Sequence, residues 1–256
     1  MPPEIGGAGC ILALKNGQST DIIRNEENPV IHFENIVKTY KGRGGTVCAL
    51  RNVTLHLEKG GFLAVTGGSG SGKTTLMNMV GCLDRPDSGR RLLDGQDLSR
   101  MGDRQLSRLR NEKIGFIFQS FNLLRDLTAL ENVMLPLAIR GMDLRIRREA
   151  AAEALARVGL SDRLGHRPGQ LSGGQQQRVA IARVIACRTP LILADEPTGN
   201  LDPEAAGSVM GILQALNQEG ATILLITHDP AVAARAERRV RMCDGVLLAG
   251  GAAGLC

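Results

Sequence analysis

From Val30 onward, short apolar runs alternate with longer stretches of helical spacing, the rhythm of an α/β protein with a largely buried sheet. Three runs organise the chain. Phe62 to Thr66 (FLAVT) leads into a glycine cluster, Leu191 to Ala194 (LILA) ends on Asp195-Glu196, and Thr222 to Thr227 ends on His228-Asp229. Each is predicted to be a buried strand delivering polar residues at its C-terminal end, the edge where open parallel sheets bind ligands. Between the first and second, Arg147 to Val158 (RREAAAEALARV) combines strong helix formers with i,i+4 apolar spacing, and Gly159 follows as a stop. Residues 120–187 therefore read as a mainly helical insertion between core segments at 30–119 and 188–248. Residues 1–29 hold one short apolar stretch, Ile11 to Leu14, among Gly, Asn, Gln and Glu, and read as a poorly ordered extension. Residues 249–256 read as a tail.

A length of 256 residues suits one large domain, or a core with an inserted subdomain. Aromatic residues at 2%, with no Trp, argue against stacking platforms for sugars or single-stranded nucleic acid. The formal charge of +5 is compatible with nucleic acid, an anionic ligand or an anionic membrane surface, and does not choose between them. The six cysteines are scattered without metal-ligand spacing and read as reduced thiols of a cytosolic protein. No apolar run reaches the 18 or so residues of a membrane-spanning helix.

Candidate chemistry begins with Gly67-Gly68-Ser69-Gly70-Ser71-Gly72-Lys73-Thr74, which fits G-x-x-x-x-G-K-[ST] between a predicted strand and a helix opening at Thr75. Its glycines let successive backbone N–H groups turn toward a polyphosphate, and the helix N-terminus adds favourable potential. Lys73 would reach the β- and γ-phosphates and the Thr74 hydroxyl would ligate Mg²⁺. Kinases, GTPases, helicases and transporters all carry such a loop, so a second feature must choose.

Asp195 and Glu196 supply one: a carboxylate to hold Mg²⁺, directly or through water, beside a general base or water-orienting group. Two solvated acids that merely stop a strand remain an equal reading of these residues alone. Leu171-Ser172-Gly173-Gly174-Gln175 then opens a helical stretch, Gln176 to Arg183. It forms either a second anion-binding helix start or a plain turn into a helix.

With LSGGQ beside the phosphate loop, the sequence resembles the ATP-binding subunits of ABC transporters over residues 30–248. The resemblance implies a P-loop NTPase core with a mainly parallel sheet, an antiparallel β subdomain and an inserted helical subdomain. It implies hydrolysis of ATP with Mg²⁺ by a dimer, most simply of two identical subunits, with two nucleotides sandwiched between them. By matching position, Tyr40 stacks on adenine; Gln119 reaches Mg²⁺ and the attacking water; Asn200-Leu201-Asp202 senses the other subunit's site; His228 contacts the γ-phosphate. The catalytic set is then Glu196, His228, Lys73 and Gln119. The nucleotide set is Tyr40, Gly67, Gly68, Ser69, Gly70, Ser71, Gly72, Lys73, Thr74 and Thr75, with Ser172, Gly173, Gly174 and Gln175 from the opposite subunit. The metal set is Thr74, Gln119 and Asp195. His32, His56 and His166 match no family element. Arg90-Arg91 falls where an apolar strand is usual, which puts that local strand in doubt.

Gly81 to Gly89 (GCLDRPDSG), Phe118 to Leu124 (FQSFNLL), Ala129 to Val133 (ALENV) and Leu171 to Arg178 (LSGGQQQR) are similar to the branch of bacterial lipoprotein-release and macrolide-export ATPases. This implies a cassette at the cytoplasmic face of the membrane, driving a permease that touches it near residues 120–135, without a nucleic-acid partner. A cell-division ATPase of similar architecture stays open as an alternative. ABC-type ATPases of DNA or translation maintenance commonly carry coiled coils, zinc modules or tandem ATPase domains, and none is evident here. A nucleotide-binding module without catalysis fits poorly with Glu196 and His228 both in place.

Overall fold

The computed structural model describes residues 30–42 and 45–249. The N-terminal extension expected at 1–29 and all but the first residue of the expected tail lie outside them. In chain order the strands are β1 (Ile31–Gly42), β2 (Gly45–Leu57), β3 (Phe62–Thr66), β4 (Ser88–Leu93), β5 (Gln96–Asp97), β6 (Ile114–Phe118), β7 (Leu191–Asp195), β8 (Thr222–Ile226), β9 (Arg238–Cys243) and β10 (Val246–Ala249). The helices are α1 (Lys73–Val80), α2 (Asp103–Lys113), α3 (Ala129–Ile139), α4 (Leu144–Arg157), α5 (Gly173–Cys187), α6 (Pro203–Gln218) and the short α7 (Pro230–Ala233).

The three predicted strands are β3, β7 and β8, and they lie side by side in a six-stranded sheet of order β10-β9-β3-β8-β7-β6. All its pairs are parallel except the β9–β10 hairpin. Both faces are covered, which explains the continuous apolar runs. Leu63, Val65, Leu191, Leu193, Leu224 and Ile226 enter one core cluster with α1, whereas Phe62, Ala64, Ile192, Ala194, Ile223 and Leu225 enter another with α4, α5 and α6. In that second cluster the small residues Ala151 and Ala154 of α4 are fully packed. Residues 120–187 carry α3, α4, α5 and two single 3-10 turns.

A separate antiparallel sheet of order β2-β1-β4-β5 packs on the first cluster. Here the doubt over Arg90-Arg91 is removed, because both lie within β4. Arg91 is 2% exposed, and its Nη1 donates to the carbonyls of Met79 (3.1 Å) and Asp84 (3.0 Å). Met79 belongs to the last turn of α1, where carbonyls lack helical partners and a cation is favourable. A buried cation thus caps the helix that starts at the phosphate loop. Among the described cysteines, Cys48, Cys82 and Cys187 are free thiols.

Arg91→Ala removes one of the largest fully buried side chains and the guanidinium bonds to the Met79 and Asp84 carbonyls. Urea unfolding should show a loss of about 2–5 kcal/mol.

Candidate nucleotide site

Parallel register gathers the site. Phe118 stands opposite Asp195, Asp195 opposite Ile226, and Ile226 opposite Val65. The residues that follow, Gln119, Glu196 and Thr227-His228, therefore leave the sheet at one level, beside the loop that opens two residues beyond Val65. One sheet edge collects a phosphate loop, two acids, an amide and a histidine from segments far apart in the chain.

Gly72 sits at the N-cap of α1 with φ +105°, and a Cβ there would meet the Ala49 carbonyl at 2.5 Å. Only glycine tolerates both the dihedral and the contact. The Lys73 ammonium donates to the carbonyls of Gly67 (2.8 Å) and Gly68 (2.7 Å), so its charge is held over the loop. A cleft of about 290 Å³ is lined by Gly70 to Thr75, by Val47, Cys48, Ala49 and Arg51 of β2, and by Asp244-Gly245. The β2 residues and the turn were not anticipated. An Asp-Gly pair between alternating apolar residues is a hairpin signal, yet nothing local announces that this turn bonds to the loop. Gly245 (φ +79°) donates its N–H to the Ser71 carbonyl at 2.9 Å and accepts from the Arg51 amide at 2.8 Å.

Glu196 has φ +45°, a left-handed conformation costly for a side-chain-bearing residue. Its carboxylate is clamped. Oε1 accepts from the His228 amide (2.8 Å) and lies 2.7 Å from His228 Nδ1, while Oε2 accepts from the Thr227 hydroxyl at 3.1 Å. Thr227, fully buried, went unnoticed in the sequence. Asp195 is half-buried; burial raises its pKa above the usual carboxylate value, Glu196 adds to the shift and Lys73 opposes it. Gln119 Nε2 donates to Asn200 Oδ1, and Asn200 Nδ2 returns a bond to the Gln119 carbonyl, both at 3.1 Å.

The site's chemistry fits a polyphosphate with a divalent cation. The Ser71 hydroxyl is buried in the loop without a hydrogen-bond partner, the exposed Thr74 lines the cleft, and Asp195 holds an incompletely compensated charge that a cation relieves. Ser172, by contrast, caps α5 by accepting from the Gln175 amide at 3.2 Å, and Gln175 Oε1 accepts from the Ser172 amide at 2.9 Å. Gly173 lies against Asn200 and Leu201, Gly174 against Ala205. None of Ser172 to Gln175 lines the phosphate-loop cleft. Tyr40 pairs across the β1–β2 hairpin with Val47, which lines that cleft.

The comparisons agree with this geometry. The family profile described as ABC transporter matches residues 50–199. The chain is 50% identical over 221 residues to "Macrolide export ATP-binding/permease protein MacB 1/2" of Paracoccus denitrificans, covering 86% of this chain and 33% of that protein. It is 48% identical over 219 residues to "Uncharacterized ABC transporter ATP-binding protein YvrO" of Bacillus subtilis, covering 86% of this chain and 96% of that protein. Among solved structures it is similar to a "Dimeric structure of a post-hydrolysis state of the ATP-binding cassette MJ0796 bound to ADP and Pi", with a TM-score of 0.79, 42% identity and 87% of this chain against 99% of that one. The chain spans about a third of the length of the MacB relatives it matches. It belongs to the ABC transporter family, as an ATP-binding cassette with ATPase architecture.

In Gly72→Ala the new Cβ forces the loop away from Ala49. Calorimetric titration with ATP should show affinity lower by at least about tenfold.

Proposed function

We propose that this cassette hydrolyses ATP as one half of a homodimer and drives a separate membrane permease, in an export or mechanotransmission system at the cytoplasmic face. One observation carries the reading. The cleft holding Lys73 offers a cradle for phosphates next to the sheet edge that carries Asp195 and Glu196, yet none of Ser172 to Gln175, the second anion-binding helix start, lines it. Two copies related by a twofold axis resolve this, each giving Lys73 to one nucleotide and Ser172 to the other. The dimeric state of the similar cassette MJ0796 supports it.

Thr74, Asp195 and Gln119 would hold Mg²⁺, which supplies positive charge beside the β- and γ-phosphates. Lys73 leaves the loop carbonyls for phosphate oxygens. Glu196 orients the attacking water and takes its proton. In the state described, His228 and Thr227 share its two oxygens, so Glu196 is fixed in aim before substrate arrives. His228, with a side chain 72% exposed, can turn from Glu196 to the transferring phosphoryl group. Closing of the dimer converts binding energy into movement, and product release reopens it.

No described helix is long and apolar enough to cross a membrane, and in this reading the membrane step belongs to the permease. Residues 120–135 offer its seat. Asn132, 1% exposed, orders the 124–128 loop by accepting from the Leu124 amide and donating to the carbonyls of Leu124, Leu127 and Thr128. Arg183 braces the preceding turn at the Phe121 and Asn122 carbonyls. Leu124 is left 50% exposed, whereas Leu123 packs on the second core cluster. Beyond Asn122 a cavity of about 380 Å³ opens between α2, β6, α3 and α5. A rigid rim with an exposed leucine beside a cavity suits a partner helix.

Glu196→Gln should bind ATP and form a stable dimer while turnover falls ~10²–10³-fold, as read by phosphate release and gel filtration; near-normal turnover would refute the role. Leu124→Asp should abolish co-purification with the permease and leave ATP binding unchanged. The same change at Leu123 should instead lower stability.

A further inference from the structure

Four successive residues of β1 are tied to the segment that follows the phosphate-loop helix. The Val37 carbonyl accepts from the Asp87 amide at 2.8 Å. Lys38 Nζ donates to Asp84 Oδ1 (2.9 Å) and to the Arg85 carbonyl (2.7 Å). The Thr39 amide and hydroxyl both donate to Asp87 Oδ2, at 2.7 and 2.6 Å. The Tyr40 hydroxyl donates to Asp84 Oδ2 at 2.9 Å. Asp84 is itself fixed, since its amide donates to the Asn78 carbonyl of α1 and its carbonyl accepts from buried Arg91.

Two features make this more than strand packing. Tyr40 is 40% exposed, so burial does not hold its ring; the hydroxyl bond does. The Lys38 ammonium also lies over the ring, 5.0 Å from its centre, within cation–π range. One ring face is therefore engaged by a cation and the hydroxyl end is pinned. An exposed aromatic side chain normally loses its freedom when a flat ligand stacks on it, which weakens binding by roughly 0.5–1.5 kcal/mol per side chain. Here that freedom is already lost.

We propose that Lys38 and Asp84 are positioning residues that pre-organise Tyr40 as the platform for the nucleotide base, so that they set affinity for base-bearing triphosphates without touching the phosphates. The proposal rests on the reading of Tyr40 as the adenine-stacking residue. Asp84 acts through the ring: its carboxylate accepts from both Tyr40 and Lys38, and burial, which alone would raise its pKa, is outweighed by the Lys38 and Arg85 hydrogen bonds that keep it ionised. The same segment that ends the phosphate-loop helix thereby sets the distance between base platform and phosphate cradle.

The test compares two probes on the full chain with Mg²⁺ present: ATP, and inorganic tripolyphosphate as a competitor that lacks the base. Asp84→Ala should raise KM for ATP about three- to tenfold, with the effect falling on KM and not on kcat, and leave the tripolyphosphate inhibition constant unchanged. Asp84→Asn, which still accepts from the Tyr40 hydroxyl, should restore most of the ATP affinity. Adding Asp84→Ala to Tyr40→Ala should produce no further loss. Lys38→Met gives a second measure should Asp84→Ala fold poorly, with the same expected preference for ATP over tripolyphosphate. If Asp84→Ala and Lys38→Met weaken both probes alike, the pair acts on the phosphate loop and the proposal falls. If Tyr40→Ala weakens ATP binding while Asp84→Ala and Lys38→Met do not, the proposal falls and the stacking role of Tyr40 stands. If Tyr40→Ala itself leaves ATP affinity unchanged, the stacking role fails and takes the proposal with it.

Discussion

Val65, Ile226, Asp195 and Phe118 stand shoulder to shoulder in parallel register, and every polar residue of the nucleotide site inherits its place from that row. A slip of one residue in any strand would exchange the two buried faces. Leu193 would take the place of Ala194, and Glu196 would leave the edge where it meets His228. Because both faces are packed against helices, such a slip is strongly disfavoured. The large cores on either side of the sheet thus do more than stabilise the fold, since they fix the register that sets the relative heights of the candidate site residues.

The clamp on Glu196 illustrates the consequence. A carboxylate with two neutral donors and a histidine ring within 3.1 Å is directed before any substrate is present. Its left-handed backbone is sustained by the bond from its amide to the Ile226 carbonyl. Local strain persists where surrounding contacts outnumber it, and here the contacts come from the adjoining strand. Gln119 and Asn200 form a comparable reciprocal pair, joining the end of β6 to the loop before α6. Residues assigned separate roles by resemblance are thus bonded to each other.

Much of this was legible in the sequence. Double-sided burial produces the uninterrupted runs at β3, β7 and β8, and the phosphate loop and LSGGQ announce themselves by spacing. Helix α4 was recognisable because alanines and i,i+4 apolar positions extend over three turns, although it begins three residues earlier than its pattern suggested. What stayed hidden depends on contacts between distant segments. Arg91 contradicts the apolar pattern of its strand because its guanidinium serves the end of α1, in another element. Thr227 and Asp84 carry no signal of their own, and the Asp244-Gly245 pair announces a hairpin but not its bond to the phosphate loop, since each matters through the residue it reaches. Leu123 and Leu124 are indistinguishable as letters, yet one packs inward and the other faces out.

The bond between Gly245 and Ser71 reaches beyond the mature site. Ser71 leaves the ribosome long before Gly245, so during synthesis the phosphate loop is without one of its struts until nearly the whole domain has emerged. A nascent cassette therefore completes this strut of its phosphate cradle only after the turn at Gly245 has been made. Nucleotide capture becomes a late event in the life of the polypeptide, and a truncated product that ends before the final hairpin would be a weak competitor for ATP.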